Sequence, residues 1–149
     1  MPSNQTIPWD DAYSLGIDII DTQHKKLFEI VNKLYALDEE HSTKEELKII
    51  LYEFSDYMRT HFADEEEYMK SIGFLELNEH KHIHETIIKH LSELIKTPAK
   101  LGIIKTKMKV LAKHTLIDHI RYEDIKIKLF EISSQSKQNM TDEEIYELV

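Results

Sequence analysis

Apolar residues recur at steps of three and four along most of the chain, the period of helices that bury one face. Between about residues 19 and 37, Ile20, Leu27, Ile30, Val31, Leu34 and Leu37 form one stripe, with His24 four residues after Ile20. Residues 1–18 carry Pro2, Pro8 and Gly16 without a sustained period and read as an extended arm ending in Ser14-Leu15-Gly16-Ile17. Ser42 followed by Glu45 has capping-box spacing. It opens a second run through Leu47, Ile50, Leu51, Phe54, Tyr57, Met58, His61, Phe62, Glu65 and Met69, closed by Gly73. A third helix is predicted over 76–95, with Ile83, Ile87, Leu91, Leu94 and Ile95 inward, before Thr97-Pro98 breaks the pattern. A fourth runs from about 101 to 132.

Short connections between long helices favour antiparallel neighbours, so the predicted fold is all-α, an up-down-up-down antiparallel four-helix bundle with an extended N-terminal arm. A polar stretch at 133–139 precedes a tail in which Thr141 and Glu144 repeat the capping-box spacing, which predicts a short C-terminal helix. The expected division is a bundle domain over 1–132 and a linker with tail over 133–149.

Composition agrees: three Gly and three Pro leave little punctuation, and 149 residues suit one domain that buries about 70% of its unfolded surface. With no cysteine, disulfides, zinc ribbons, iron–sulfur clusters and thiol nucleophiles are excluded, and any metal must be held by nitrogen and oxygen. A net charge of -9, with no run of basic residues, opposes nucleic acid and anionic membranes. The first residues form no leader and no apolar run approaches the ~20 residues that span a bilayer, so a cytoplasmic protein is expected.

The nine histidines carry the chemistry. His61 and Glu65 are four apart on helix two, and His80 and His84 are four apart on helix three, so each pair shares a helix face. His119 lies amid Leu116, Ile117 and Ile120, where an unpaired imidazole is costly unless something accepts its lone pair. One His–Glu pair alone is more often a surface hydrogen bond than a ligand set; convergence from all four helices points to metal. Imidazole and carboxylate without thiolate suit Fe, Zn, Mn or Ni, and five histidines with carboxylates exceed the needs of one tetrahedral zinc, which implies two ions. Helical spacing nominates Glu123, four after His119, as the last carboxylate.

The ordered set Trp9, Ile20-Asp21-Thr22-Gln23-His24-Lys25-Lys26-Leu27, His61-Phe62-Ala63-Asp64-Glu65-Glu66-Glu67-Tyr68-Met69, His80-x3-His84 and Leu116-x2-His119-Ile120-x3-Asp124 resembles the hemerythrin family, specifically its single-domain bacterial members, over residues 9 to about 129. The resemblance implies an oxo- and carboxylate-bridged pair of iron ions, one held by His80, His84 and His119, the other by His24 and His61, with Glu65 and Asp124 bridging. Asp124 is five residues after His119, so this assignment expects helix four to widen locally. The implied function is reversible O2 binding for storage, delivery or sensing, at an open position on the second iron. Phe62, Leu116 and Ile120 match the positions that line the oxygen pocket. Two others depart from the family: Thr115 stands where a Trp is usual and Ile87 where an aromatic is common. A smaller, more polar wall is expected to admit water and speed autoxidation.

His41, His82, His90 and His114 fall outside the pattern and are expected to be solvated. Trp9 is expected to pack the arm over the bundle end, Asp21 to support His24 or cap helix one, and Gln23 to support His24. Competing functions are a di-iron oxidase or peroxidase, an iron or nitric-oxide handling module, and a metal-free or zinc-bound interaction domain. Because the chain ends soon after the bundle, a sensor arm is not expected. A monomer is, which meets an electron donor or oxygen-consuming partner protein.

Overall fold

The computed structural model describes residues 7–38, 40–97 and 99–138. After a short 3₁₀ turn at Asp11–Tyr13 come α1 (Asp18–Tyr35), α2 (Lys44–Ser71) and α3 (Leu77–Lys96). The fourth rod is α4 (Leu101–Ala112), two π-helical segments at Lys113–Asp118 and Ile120–Asp124, and α5 (Ile125–Gln138), without interruption of the helical backbone. Among the described residues there is no strand.

Cross-helix contacts establish antiparallel order. Gln23 meets Asp64 and Lys33 meets Glu53 between α1 and α2. Arg59 meets Ser92 and Glu66 meets His84 between α2 and α3. The Lys105 ammonium donates to the Leu37 carbonyl at one end of the α1/α4 pair, while His24 meets Asp124 at the other. The bundle therefore runs up-down-up-down.

Local chemistry sets the helix ends. Thr43 Oγ1 accepts from the Glu46 N–H while Glu46 Oε2 accepts from the Thr43 N–H, each at 3.1 Å. The capping box thus forms one residue later than Ser42 and Glu45 suggest, because Thr43-x2-Glu46 satisfies the same rule. At the other end of α2, Gly73 adopts φ +69°. Its N–H bonds the Lys70 carbonyl and the Phe74 N–H bonds the Met69 carbonyl, a Schellman stop with Phe74 and Met69 packed together. The fourth rod continues past Ile132 through the polar residues expected to form a linker, as far as Gln138, the last described residue. Residues 141–144, expected to start the tail helix, lie outside the described residues.

The arm runs back along α1. The Ile7 N–H donates to Asn32 Oδ1 and Asn32 Nδ2 returns a bond to the Ile7 carbonyl. Trp9 meets Phe28 edge-on at 5.6 Å, so it packs against the middle of α1 and not over the bundle end as expected. Asp21 accepts from Ser14 Oγ and the Leu15 N–H at 2.6 and 2.8 Å. It clamps the arm, and neither supports His24 nor caps α1.

Two apolar clusters make the core. The larger includes Leu27, Phe54, Met58, Phe62, Leu91, Met108, Leu116 and Ile120. The smaller includes Ile17, Ile20, Met69, Phe74 and Ile127. Between them lies a polar layer: His24 falls between Ile20 and Leu27, Glu65 between Phe62 and Met69, and Asp124 between Ile120 and Ile127. Burial of the apolar side chains on either side contributes roughly 1.5–3 kcal/mol each, and it holds the polar layer in a fixed register.

Candidate metal centre

Seven side chains from all four rods meet in that layer: His24, His61, Glu65, His80, His84, His119 and Asp124, each at most 5% exposed. They divide into two groups whose candidate ligand atoms all lie within 4.8 Å of one another. The first holds His80, His84 and His119, the second His24 and His61, and Glu65 and Asp124 belong to both.

The carboxylates join the groups by turning one oxygen to each. Glu65 Oε1 stands 2.9 Å from His80 Nε2 and 3.1 Å from His84 Nε2. Glu65 Oε2 stands 3.2 Å from His61 Nε2 and 3.6 Å from His24 Nε2. Asp124 repeats this, with Oδ1 2.9 Å from His80 Nε2 and 3.0 Å from His119 Nε2, and Oδ2 3.2 Å from His24 Nε2.

The π-helical segments put Asp124 here. The His119 N–H bonds the His114 carbonyl, and the Ile125 N–H bonds the Ile120 carbonyl, both five residues back. An undistorted α-helix would turn Glu123 toward His119. In the widened helix Asp124 is fully buried, while Glu123 is half-buried and pairs with Lys126 at 3.3 Å. The expected widening is present, and the Glu123 nomination from α-helical spacing is overturned.

These atoms fit a metal. His24 Nε2, Glu65 Oε2 and both oxygens of Asp124 are buried without a hydrogen-bond partner among the described residues. His84 Nε2 and His119 Nε2 face each other at 3.2 Å. Buried polar atoms converging without partners are costly, and cations at their common foci satisfy them together. Charge points the same way. With protons as the only counter-charge, burial pushes the His24 imidazole down, but the close approach of the Asp124 and Glu65 carboxylates outweighs it and lifts it to about 9. His80 is lifted to about 10 for the same reasons. At His61 burial wins over the attraction of Glu65, and the imidazole is lowered. Burial raises the Glu65 carboxyl, but the neighbouring imidazoles, His61 foremost, hold it well below the usual carboxylate range. Asp124 is raised by burial and by Glu65, yet His119 and His24 keep it low as well. Two buried anionic groups demand cationic charge.

Outer contacts orient the imidazoles. His61 Nδ1 lies 2.8 Å from Gln23 Oε1, and Gln23 Nε2 donates to Asp64 Oδ2 at 2.7 Å. An Nδ1–H donated to the amide oxygen leaves Nε2 as a lone pair directed inward. Gln23 therefore serves His61, not His24 as expected, and the His24 Nδ1 has no partner among the described residues. His84 Nδ1 lies 2.9 Å from Glu66 Oε2, and its ring stacks on Phe62 with centroids 3.7 Å apart. Glu66 and Asp64 were not singled out from the sequence. The available signal was adjacency: one helical step from the inward Glu65 turns Glu66 toward α3.

Phe62, Leu116, Ile120 and Thr115 are buried, while Ile87 is half-buried against the larger apolar cluster. The Thr115 hydroxyl finds no hydrogen-bond partner among the described residues. His41, His82, His90 and His114 are exposed, as expected.

A buried cluster of histidines and two shared carboxylates inside a four-helix bundle is the donor set of a metal-binding helical protein. Residues 15–128 match the hemerythrin HHE cation-binding domain, and the chain belongs to the hemerythrin family. It is 38% identical over 115 residues to a bacteriohemerythrin of Campylobacter jejuni, covering 76% of this chain and 86% of the relative. A bacteriohemerythrin of Pseudomonas aeruginosa is 34% identical over 118 residues, covering 78% and 75%. One from Clostridium acetobutylicum is 44% identical over 84 residues, covering 54% and 65%. No helix among the described residues is long and apolar enough to cross a membrane.

Proposed function

We propose that the protein holds two iron ions and binds O2 reversibly for storage, delivery or sensing. The observation that carries this reading is the division of both carboxylates between unequal sets of imidazoles, three on one side and two on the other. On this reading His80, His84 and His119 would hold one iron and His24 and His61 the other, with Glu65 and Asp124 shared between them. Mixed imidazole and carboxylate ligands without thiolate suit iron, and the poorer donor set leaves room for an exogenous ligand on the second ion. Iron held there would supply reversible redox chemistry toward dioxygen.

The chain's own residues do the rest. Gln23, backed by Asp64, keeps the His61 Nδ1 protonated and its Nε2 free to bind. Glu66 does the same for His84. Phe62, Leu116 and Ile120 keep water from the open side, and no side-chain acid or base is required. The protein acts as a non-enzymatic cytoplasmic monomer that exchanges oxygen or electrons with a partner protein. The test is to reduce the iron-loaded protein without oxygen, admit air, and follow its visible bands through repeated deoxygenation. Bands that return each cycle support the carrier; direct conversion to an oxidised spectrum with peroxide turnover sinks it.

One observation favours a second reading, an oxidase or peroxidase. The Thr115 hydroxyl is buried without a hydrogen-bond partner among the described residues, at the position that the family resemblance assigns to the oxygen-pocket wall, where it would attract water or a polar co-substrate.

A further inference from the structure

The two halves of the polar layer differ in more than their number of imidazoles. His84 Nδ1 faces the carboxylate of Glu66 at 2.9 Å, whereas His61 Nδ1 faces the neutral amide oxygen of Gln23 at 2.8 Å. His24 Nδ1 has no partner among the described residues. The His84 ring is held further by stacking on Phe62, with centroids 3.7 Å apart. One half therefore has an imidazole backed by an acid and locked by a ring, while the other has one imidazole backed by an amide and one left unheld at its outer nitrogen.

Cation binding follows these differences. An anionic acceptor at Nδ1 makes Nε2 the stronger donor, because it stabilises the positive charge that the ring takes on when Nε2 gives its lone pair to a cation. Glu66 stands at His84 directly, whereas on the His61 side the nearest carboxylate, Asp64, lies beyond the amide of Gln23. Donor count acts in the same sense, since five ligand atoms converge on one focus and four on the other. Three imidazoles with a single carboxylate oxygen already complete a tetrahedral set, but His24 and His61 complete one only by drawing on both Glu65 and Asp124. Because those carboxylates are shared, a cation at the first focus uses their charge and repels a second cation. The stronger half is also the one within reach of solvent: a cleft of about 330 Å³ between α2 and α3 is lined by Phe62, Glu66 and His84.

We propose that the centre fills in a fixed order, first at His80, His84 and His119 and only then at His24 and His61, with Glu66 as the positioning residue that sets this order. The inference rests on the two-metal reading above, but not on iron or on oxygen. When metal is scarce, each chain then holds one ion, instead of some chains holding two and the rest none. The complete pair forms only after the first sites are filled, so its amount is a steep function of metal supply.

The test is a Zn²⁺ titration of the full-length, metal-free protein labelled with ¹⁵N at histidine, followed by NMR at the imidazole nitrogens. Zinc has no redox chemistry, so the readout is occupancy alone. At one equivalent, Nε2 of His80, His84 and His119 should have shifted fully, and Nε2 of His24 and His61 should move only with the second equivalent. Glu66→Gln keeps an oxygen within reach of His84 Nδ1 and removes the charge. In competition with a chelator it should weaken the first binding step about tenfold and leave the second unchanged. The converse exchange, Gln23→Glu with Asp64→Asn, sets a carboxylate against His61 and should strengthen the second step about tenfold, which narrows the gap. Circular dichroism of each variant shows whether the fold is kept, and the two exchanges test the order independently. Ions that load in pairs, a first ion at His24 and His61, or a first step indifferent to Glu66→Gln overturn the proposal and leave the two-metal reading intact. A protein that takes up neither zinc nor iron, or stops at one of either, removes that reading and the proposal with it.

Discussion

At the scale of single residues, Gln23 shows how a metal centre depends on side chains that never touch metal. Its amide oxygen faces His61 Nδ1 and its nitrogen is held by Asp64, so the imidazole is locked in one tautomer. Gln23→Leu should keep the packing and weaken metal binding at the His24/His61 side by about 10- to 100-fold, read by competitive titration against a chelator. Unchanged affinity would mean that the bond is incidental. Thr115 is the opposite case, a hydroxyl buried without a partner among the described residues. Thr115→Val removes the polar atom at nearly constant volume, and Thr115→Trp restores a large wall. Both should slow spontaneous oxidation of the reduced, oxygenated protein by roughly five- to tenfold, corresponding to about 1 kcal/mol. If neither does, Thr115 has no part in admitting water. The sequence exposed Thr115 by its departure from the family pattern, but not the partner of Gln23. That partner depends on which neighbour lies across α1, and His24 and His61 both converge there.

At the scale of elements, the fourth rod carries the feature that α-helical periodicity reads wrongly. A regular helix favours His119 and Glu123 as a pair, whereas five-residue hydrogen-bond steps bury Asp124 and leave Glu123 at the edge with Lys126. Asp124→Asn should therefore lower the metal content from two ions per chain to one or none, and Glu123→Gln should keep two ions and cost under about 0.5 kcal/mol. Metal analysis of both variants decides it, and the reverse pattern would mean that the helix relaxes to α geometry on loading. The ends of the other elements were legible to within a residue or two where apolar periodicity met Gly73 or Thr97. The capping box slipped by one because Ser42/Glu45 and Thr43/Glu46 offer the same chemistry. The rod outran its expected end because Ser133 and Ser134 can be carried by a helix already propagating.

At the scale of the whole molecule, the polar layer between two apolar clusters is both the binding site and the weak point of the core. In the metal-free protein the raised imidazoles bind more protons folded than unfolded. Their stabilising contribution is complete below the ordinary value of 6.5 and is lost as pH climbs through about 9 at His24 and about 10 at His80. Glu65 and Asp124 stay ionised throughout that window in both states and add no slope. The melting temperature of the metal-free protein should therefore fall from pH 7 to pH 10, and metal loading should raise it and flatten the dependence. A flat profile without metal would show that the imidazoles are not tied to the carboxylates in solution. The bundle and six of its seven converging side chains were readable because periodicity and histidine spacing act along single helices, whereas Asp124 was implied only by the family resemblance, since the π-helical segments break that spacing.

The central claim is a pair of metal ions joined through Glu65 and Asp124, and the Mössbauer spectrum of the oxidised protein loaded with ⁵⁷Fe tests it most directly. The expected result is two irons per chain in a magnetically coupled, diamagnetic pair, lost in Asp124→Asn. A single uncoupled high-spin iron per chain, or a full pair that survives Asp124→Asn, would contradict it.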